Sequence, residues 1–246
     1  MISNVEIKEG LCFVTISDTG LSHRLSGKTN QDYISYTVEN GDFVIAVSDG
    51  VGSCSKAEDG SRFAVEAVLK IFSDIRNAEL IAVEELPELI INEWLQLIGD
   101  NNIDDYCATV KAAIKIGNKI NLISIGDGLL ALTSEGMHVI APENNSLFTN
   151  HTVCLNSQVK ASDFWIHEFE VDLYVPYVIM VCTDGVANGI QQGQELELVR
   201  TIEKEMKAEE LREELEKLVV SIAEYSFDDR TVGVVKYEWK DAEPDR

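Results

Sequence analysis

The chain has 246 residues, of which 45% are hydrophobic and 26% charged, and this composition is typical of a globular protein with a sizeable core. Its 43 acidic and 20 basic residues give a formal net charge of −23, which disfavours nucleic acid and membrane surfaces as partners because both are polyanionic. The first residues lack the apolar segment of a signal peptide, and the five cysteines form no Cys-x-x-Cys pair. We therefore predict a cytoplasmic, monomeric protein with reduced thiols.

The hydrophobic pattern predicts strands in runs, with helices grouped between them. The predicted strands cover residues 11–16, 33–38, 42–47, 107–114, 119–125, 129–133, 137–141, 164–171, 177–183 and 231–237. The predicted helices cover 61–72, 85–98 and one long segment, 196–225, and the stretch 142–162 is predicted to be a loop. This order favours an α+β fold in which helices cover two antiparallel sheets. We predict a single domain over residues 1–246, with a core of about 20–237 and a polar tail at 241–246.

Several predicted strands end in acidic residues. Asp49-Gly50 and Asp184-Gly185 follow two buried apolar runs, Asp127-Gly128 follows a third, and Asp228-Asp229 stands before the last strand. Carboxylate oxygens are the ligands that Mg²⁺, Mn²⁺ and Ca²⁺ prefer, and strand ends hold side chains rigidly. A single Asp-Gly is more often an ordinary turn. Three such ends and a fourth acidic pair in one chain make a metal site a candidate, which the spacing alone does not establish.

Six motifs in this order and spacing resemble those of the PPM family, the type-2C Ser/Thr protein phosphatases, in their compact bacterial branch. They are Asn30-Gln31-Asp32, Ser48-Asp49-Gly50-Val51-Gly52, Cys107-Ala108-Thr109-Val110, Ile125-Gly126-Asp127-Gly128, Cys182-Thr183-Asp184-Gly185 and Asp228-Asp229-Arg230-Thr231-Val232. The resemblance extends from about residue 20 to residue 236. It implies a central β-sandwich of two antiparallel sheets flanked by helices, with a two-metal site at one end of the sandwich.

The resemblance also implies which residues hold Mn²⁺ or Mg²⁺. Asp49 would bridge two ions, and the backbone carbonyl of Gly50 would complete one coordination shell. Asp184 and Asp228 would bind the other ion, and Asp127 together with Asp184 could hold a third, weaker one.

The choice between Asp228 and Asp229 as the metal ligand stays open at this point. The sequence alone leaves Asp228 and Asp229 hard to distinguish, and we prefer Asp228 because it lies three residues before Thr231, as the family ligand precedes its threonine. The resemblance further implies that Asp32 lies next to the ions and holds metal-bound water by hydrogen bonds.

The phosphate-binding position of the family departs from its usual pattern. The family arginine stands four residues before the position of Gln31, where this chain has Gly27. Arg24 and Lys28 are the nearby cations. We prefer Arg24 because a guanidinium can bind phosphate through two parallel hydrogen bonds, whereas an ammonium acts as a point charge, and Lys28 remains the alternative.

These residues predict a signalling enzyme, a metal-dependent protein serine/threonine phosphatase. Two divalent ions lower the pKa of a bridging water, so that hydroxide attacks the phosphate monoester and no covalent phospho-enzyme is needed. The expected substrate is a phosphorylated protein, either a Ser/Thr kinase or its target. The alternative is a PPM-fold binding protein without turnover that sequesters a kinase or a phosphoprotein. Retention of Asp49, Asp184 and Asp228 favours the enzyme.

Overall fold

Two antiparallel sheets packed face to face form the centre of the computed structural model, which describes residues 1–76, 82–142, 153–172 and 174–238. Its strands are β1 (Ile2–Lys8), β2 (Leu11–Asp18), β3 (Asp32–Glu39), β4 (Asp42–Asp49), β5 (Val110–Ile116), β6 (Lys119–Ile125), β7 (Leu129–Ser134), β8 (Met137–Ile140), β9 (Trp165–Glu170), β10 (Tyr177–Cys182) and β11 (Arg230–Tyr237). The six-stranded sheet has the order β1-β2-β11-β10-β7-β8, and the five-stranded sheet has the order β3-β4-β5-β6-β9. Apolar side chains such as Phe13, Ile45, Leu122 and Ile179 fill the space between the sheets.

Helices cover the outer face of each sheet. They are α1 (Leu21–Ser26), α2 (Ala57–Arg76), α3 (Leu86–Ile98), α4 (Asp184–Ala187), α5 (Glu195–Glu205) and α6 (Ala208–Ile222). Helices α2 and α3 bury Val68 and Trp94 in a cluster with Val110 of the five-stranded sheet. Helices α5 and α6 bury Ile202 and Leu215 in a cluster with strands of the six-stranded sheet. The predicted α+β fold, a sandwich of antiparallel sheets flanked by helices, is confirmed.

The prediction of one helix over 196–225 is wrong, because the chain forms α5 and α6 with a break between them. Met206 has extended backbone angles, with φ −97° and ψ 125°. Both Ile202 and Leu211 are buried in the same cluster, yet a continuous helix would turn about two and a half times between them and set them on opposite faces. The buried Lys236 of β11 donates hydrogen bonds from Nζ to the carbonyl oxygens of Ile202 (2.9 Å) and Met206, which satisfies the end of α5.

The N-terminal strands belong to the fold although the predicted core begins near residue 20. Strand β2 pairs with β11 over its whole length, from Arg230 opposite Asp18 to Tyr237 opposite Leu11, and β1 extends the same sheet. Strand β1, α1 and α4 were not predicted. The predicted tail at 241–246 lies outside the described residues, and so does part of the predicted loop 142–162. Within the described part of that loop, Leu155 pairs with Ala108.

The register of the strands brings the acidic motifs to one end of the sandwich. Asp32, at the start of β3, lies opposite Asp49, at the end of β4. The end of β10 and the start of β11 meet at the same end, since Cys182 lies opposite Val232. We call this the acidic end, with Asp32, Asp49, Asp127, Asp184 and Asp228. The opposite end carries the turns at Gly10, Gly41 and Gly117.

No helix among the described residues is long and apolar enough to cross a bilayer.

Candidate metal centre

Asp32 is a buried carboxylate that hydrogen bonds tie to the other sheet. Its side chain is 8% exposed, and its Oδ2 atom accepts a hydrogen bond from the Thr183 hydroxyl at 2.8 Å. The Thr183 hydroxyl oxygen in turn accepts the backbone N–H of Thr231 at 3.1 Å. Because Asp32 and Asp49 are directly opposed in β3 and β4, their side chains project from the same face of the sheet. The two carboxylates therefore lie side by side.

The backbone around Asp49 is held by Thr109. The N–H of Asp49 donates to the Thr109 hydroxyl (3.0 Å), the N–H of Thr109 donates to the Asp49 carbonyl (2.8 Å), and the Ser48 hydroxyl donates to the Thr109 carbonyl (2.6 Å). Gly50 follows in a site with no room for a side chain, because a Cβ atom there would lie 2.1 Å from the carbonyl oxygen of Ala57. The Asp49 carboxylate and the Gly50 carbonyl are thus presented by a rigid turn.

Asp184 opens α4 directly after β10. The neighbouring Gly185 packs against the chain before β11, where a Cβ atom would lie 1.8 Å from the carbonyl oxygen of Asp229. The Asp184 side chain is half-buried, and its Oδ2 atom accepts a long hydrogen bond of 3.4 Å from the Asn188 amide. Close packing of α4 on the start of β11 therefore brings Asp184 next to the Asp228-Asp229 pair.

The two adjacent carboxylates Asp228 and Asp229 have different surroundings. Asp229 is 2% exposed, and both of its oxygens accept hydrogen bonds, from the backbone N–H groups of Gly20 (2.6 Å) and Gln31 (2.7 Å), while Nδ1 of His23 lies 2.8 Å away. Asp229 thereby ties the segment before β3 to the start of β11. Asp228 is exposed, and one ligand atom from each of His23, Asp228 and Asp229 lies within 4.8 Å of the others.

Burial and mutual repulsion act on the carboxylates of the acidic end. Burial, together with the charges of Asp229 and Asp184, raises the pKa of Asp32 to about 8, although hydrogen bonds from Thr183 and Thr231 lower it. Burial holds the pKa of Asp49 well above its usual value, and the charges of Asp32, Asp184, Asp228 and Asp127 add to this. These couplings place the five carboxylates in one electrostatic cluster.

The pKa of Asp184 is raised by the same two causes, burial and neighbouring negative charge. Burial raises its pKa to about 6, with further contributions from the charges of Asp127 and Asp228. Among the described residues, no basic side chain forms an ion pair with Asp32, Asp49 or Asp184. These three carboxylates therefore lie close together without a basic side chain from the described residues to offset their repulsion.

The donor set fits hard divalent cations. Every candidate ligand atom is an oxygen, from carboxylates and from the Gly50 carbonyl, and this is the chemistry that Mg²⁺ and Mn²⁺ select. In addition, Oε1 of Gln31 is buried and has no hydrogen-bond partner among the residues that the structure describes. Gln31 precedes Asp32, and a Cβ atom on Gly52 would lie 3.6 Å from its Oε1 atom. A buried acceptor without a donor is costly unless a cation or a water satisfies it.

The two candidate phosphate-binding cations differ in their contacts. Nη2 of Arg24 donates to Oδ1 of Asp18 at 2.5 Å, and Asp18 also accepts from Nη2 of Arg230 at 2.6 Å. Arg24 is thus engaged in an ion pair with Asp18 at the end of β2. Lys28 lies just after α1, is exposed, and its ammonium contacts no acceptor in the described part of the chain.

Sequence reasoning missed two residues that shape this site. Thr109 was part of a recognised motif, but its clamp on Asp49 depends on the pairing of chain segments 60 positions apart. Lys111 was not singled out, although a lysine inside a strand covered on both faces is an unusual signal. Its side chain is 2% exposed, and burial lowers its pKa to about 8.

Comparisons with known proteins agree with this geometry. The chain matches the family model described as protein phosphatase 2C over residues 19–219. A search of curated proteins gave no significant match. Among solved structures, RsbX in complex with magnesium aligns with a TM-score of 0.62 and 16% identity, covering 96% of this chain and 100% of that chain.

Two bacterial serine/threonine phosphatases are also similar. The S. agalactiae enzyme aligns with a TM-score of 0.67 and 16% identity, covering 93% of this chain and 100% of that chain. The catalytic domain of PstP in complex with two manganese ions aligns with a TM-score of 0.66 and 17% identity, covering 93% of this chain and 99% of that chain. At these identities the likeness establishes the fold, and relatives in this family bind magnesium or manganese. Because the family match spans most of its length, the chain belongs to the protein phosphatase 2C family, as the six motifs predicted.

Proposed function

We propose that the protein is a metal-dependent phosphatase that hydrolyses phosphate monoesters on Ser or Thr residues of proteins, with residues 1–246 acting as one catalytic domain. The observation that carries the proposal is the cluster of carboxylates at the acidic end. Asp32, Asp49 and Asp184 all have raised pKa values, mainly because of burial, and lack a basic partner among the described residues. Such crowding is unfavourable unless cations lie between the carboxylates.

The ligands follow from the contacts of each carboxylate. Asp49, the Gly50 carbonyl, Asp184 and Asp228 would hold two Mn²⁺ or Mg²⁺ ions, and Asp127 would contribute to a third, weaker site. Asp228 suits this role better than Asp229, whose two oxygens already accept hydrogen bonds within the protein. When bound, the ions would activate a water near neutral pH and neutralise charge on the phosphoryl oxygens.

The remaining residues orient the reactants. The Thr183 hydroxyl donates to one oxygen of Asp32, which fixes the carboxylate in a single orientation. Asp32 would then accept a hydrogen bond from the attacking water and hold it in line with the phosphorus atom. This role needs position more than charge, because a water aligned for attack loses little further entropy in the transition state.

The substrate phosphate needs a cation from the protein side. The sequence favoured Arg24, but its guanidinium is already paired with Asp18. Lys28 is exposed and has no partner among the described residues. We therefore favour Lys28 as the residue that attracts the phosphate, with Arg24 as the alternative if it leaves Asp18. The protein substrate would be a Ser/Thr kinase or its target.

The experiment is hydrolysis of a small aryl phosphate and of a phosphothreonine peptide by chelator-treated protein. Parallel reactions contain Mn²⁺, Mg²⁺ or chelator. We expect turnover with either ion, none in chelator, and recovery when the ion is restored. Full activity in chelator would contradict the metal mechanism.

One observation favours a second candidate, a binding protein without turnover. The family arginine position is Gly27, and Arg24 is paired with Asp18, so phosphate recognition could be too weak for catalysis. The same reactions distinguish the two. Metal-dependent binding of the phosphopeptide without release of phosphate would support the binding protein.

A further inference from the structure

A lysine lies buried between the two sheets directly behind the acidic end. Lys111 is the second residue of β5, opposite Val47 of β4 and Ser124 of β6. Its neighbours Val110 and Ala112 belong to the cluster beneath α2 and α3, so the alternation of the strand directs Lys111 to the inner face. A lysine in an apolar interior is rare and costs free energy unless its ammonium is hydrogen bonded.

The ammonium of Lys111 holds the turn between β6 and β7. Its Nζ atom donates to the Ser124 hydroxyl at 2.7 Å and to the carbonyl oxygen of Gly126 at 2.6 Å. Gly126 begins the turn Gly126-Asp127-Gly128, which carries one of the clustered carboxylates. Lys111 therefore anchors the residue immediately before Asp127.

This turn is also tightly enclosed by its neighbours. Gly126 has φ +90°, and a Cβ atom there would lie 2.5 Å from Cγ2 of Thr109, the residue that clamps Asp49. Gly128 has φ +96°, and a Cβ atom there would lie 2.5 Å from the carbonyl oxygen of Cys182. The turn therefore lies between the Thr109 side chain and the backbone just before Asp184, with Lys111 behind it.

The side chain of Asp127 acts on both sides of the turn. Its charge raises the pKa of Asp49 and of Asp184, so it lies within reach of the carboxylate cluster. Its charge also acts favourably on Lys111, against the burial that lowers the pKa of that lysine.

We propose that Lys111 is a positioning residue of the metal centre, which fixes the Gly126 carbonyl and thereby holds Asp127 at the distance a divalent cation requires. The proposal rests on the metal-dependent function proposed above. Lys111 itself contacts neither ion nor substrate. It acts through Asp127, and its effect is confined to the third, weaker ion.

The direction in which Mn²⁺ affinity changes when Lys111 is replaced distinguishes a positioning role from a purely electrostatic one. A positive charge behind the cluster repels divalent cations, so its removal alone should tighten their binding. Loss of an anchor should instead loosen Asp127 and weaken binding, and residues that orient metal ligands typically contribute about 10- to 100-fold to affinity.

The test is Mn²⁺ binding to chelator-treated protein by titration calorimetry near neutral pH, without any measurement of activity. Lys111→Met keeps most of the apolar side chain and removes both hydrogen bonds. We expect the weakest Mn²⁺ binding event to lose about tenfold in affinity, while the stronger events stay within about twofold. Lys115→Met is the matched control, since Lys115 lies on the same strand and face, is 6% exposed, and donates to the Gly41 carbonyl (2.9 Å) at the opposite end.

A double-mutant cycle checks that Lys111 works through Asp127. Asp127→Asn should weaken the weakest Mn²⁺ binding event, and adding Lys111→Met to Asp127→Asn should then weaken that event less than Lys111→Met does in the wild type. Circular dichroism verifies folding of each variant. If Lys111→Met does not fold, Lys111→Gln, which is neutral and shorter, replaces it with the same expected loss.

Three results would overturn the proposal. Tighter Mn²⁺ binding by Lys111→Met would show that only its charge matters, and unchanged binding would show no role. In both cases the proposed metal function survives, because the wild-type protein still binds Mn²⁺. No Mn²⁺ binding by the wild-type protein would overturn both proposals together.

Discussion

The two ends of the β-sandwich treat acidic side chains in opposite ways. At the opposite end, Arg76 contacts Glu39 and lies 3.5 Å from Asp42, measured between Nε and Oδ2. Asp42 also accepts the backbone N–H of Gly117 at 2.8 Å. At the acidic end, Asp32 and Asp49 lie side by side with no basic partner among the described residues.

This difference distinguishes carboxylates that stabilise the fold from carboxylates that are suited to bind a cation. A carboxylate paired with arginine or with backbone N–H groups is satisfied by the protein alone. Buried carboxylates that repel one another lower stability, and a protein keeps them where a bound cation reverses the effect. The same β5 strand sends a buried lysine to each end, Lys111 and Lys115, which makes the ends directly comparable by mutation.

The largest expected effect is on turnover. Asp184→Ala should lower kcat for aryl phosphate hydrolysis by about a thousandfold, because the ion it holds both activates the water and stabilises the developing charge. Asp42→Asn at the opposite end should leave kcat within about twofold. Steady-state kinetics at saturating Mn²⁺ measures both, and equal losses in the two variants would erase the distinction between the ends.

Thermal stability should respond to metal at one end only. Mn²⁺ at about 100 times its Kd stabilises the folded state by about 2.7 kcal/mol, which raises Tm by about 5–10 °C in a chain of this size. Asp49→Asn should abolish most of this rise, and in chelator it should melt no lower than the wild type because it removes one repelling charge. Asp42→Asn should keep the full rise. Differential scanning calorimetry with and without Mn²⁺ measures these changes in Tm. A wild-type Tm that is the same with and without Mn²⁺ would argue against the metal site.

The chelated protein should lose stability as the pH rises. The pKa of Asp32 is about 8 and that of Asp184 about 6 in the folded state, both above the usual value of 3.8. The unfolded chain therefore releases these protons first, and the folded state becomes less favourable as the pH rises from about 4 towards 8. Between pH 6 and 8 the loss of stability from Asp32 is about 2 kcal/mol.

Urea unfolding in chelator at several pH values measures this loss. Asp32→Asn should flatten the dependence above pH 6, because only the wild type retains the buried carboxyl that titrates there. If the free energy of unfolding falls with pH equally steeply in Asp32→Asn and in the wild type, the pH dependence comes from the surface charge as a whole and not from Asp32.

The smallest expected effect concerns the substrate phosphate. Lys28→Ala should raise KM for a phosphothreonine peptide about three- to tenfold with kcat within about twofold, since it removes attraction present in both ground and transition states. Arg24→Ala should leave KM nearly unchanged and lower Tm slightly through loss of the Asp18 pair. The reverse pattern would assign the phosphate to Arg24, and no change in either variant would leave phosphate binding to the ions alone.

Local patterns in the sequence predicted much of the site. Asp49 and Asp184 each follow an apolar run that can be recognised as a strand from its own residues, and glycine marks the turn after it. Ten of the eleven strands in the described part of the chain were predicted from the sequence, because alternation and apolar runs reflect burial directly. Strand β1 escaped prediction because its large apolar residues, such as Ile2 and Ile7, are exposed at the sheet edge.

The break between α5 and α6 shows where local patterns fail. Residues 196–225 contain neither glycine nor proline, and their composition favours a helix throughout. The break is imposed by the sheet beneath, which must receive Ile202 and Leu211 on the same side. The carbonyl groups of Ile202 and Met206 accept hydrogen bonds from Lys236, which lies 34 and 30 residues further along the chain.

The sequence by itself determined the fold class, the family and the acidic residues that end the strands, because each depends on local hydrophobic patterning or on ordered short motifs. Only the tertiary structure decided that Asp229 is satisfied by Gly20 and Gln31 while Asp228 is exposed, that Arg24 pairs with Asp18, and that Lys111 lies behind Asp127. The physical reason is common to all three. Each contact depends on how elements of the fold pack together. The partners of Asp229 lie about 200 residues away, and even Arg24 and Asp18, six residues apart, belong to α1 and β2, whose relative placement no local pattern specifies.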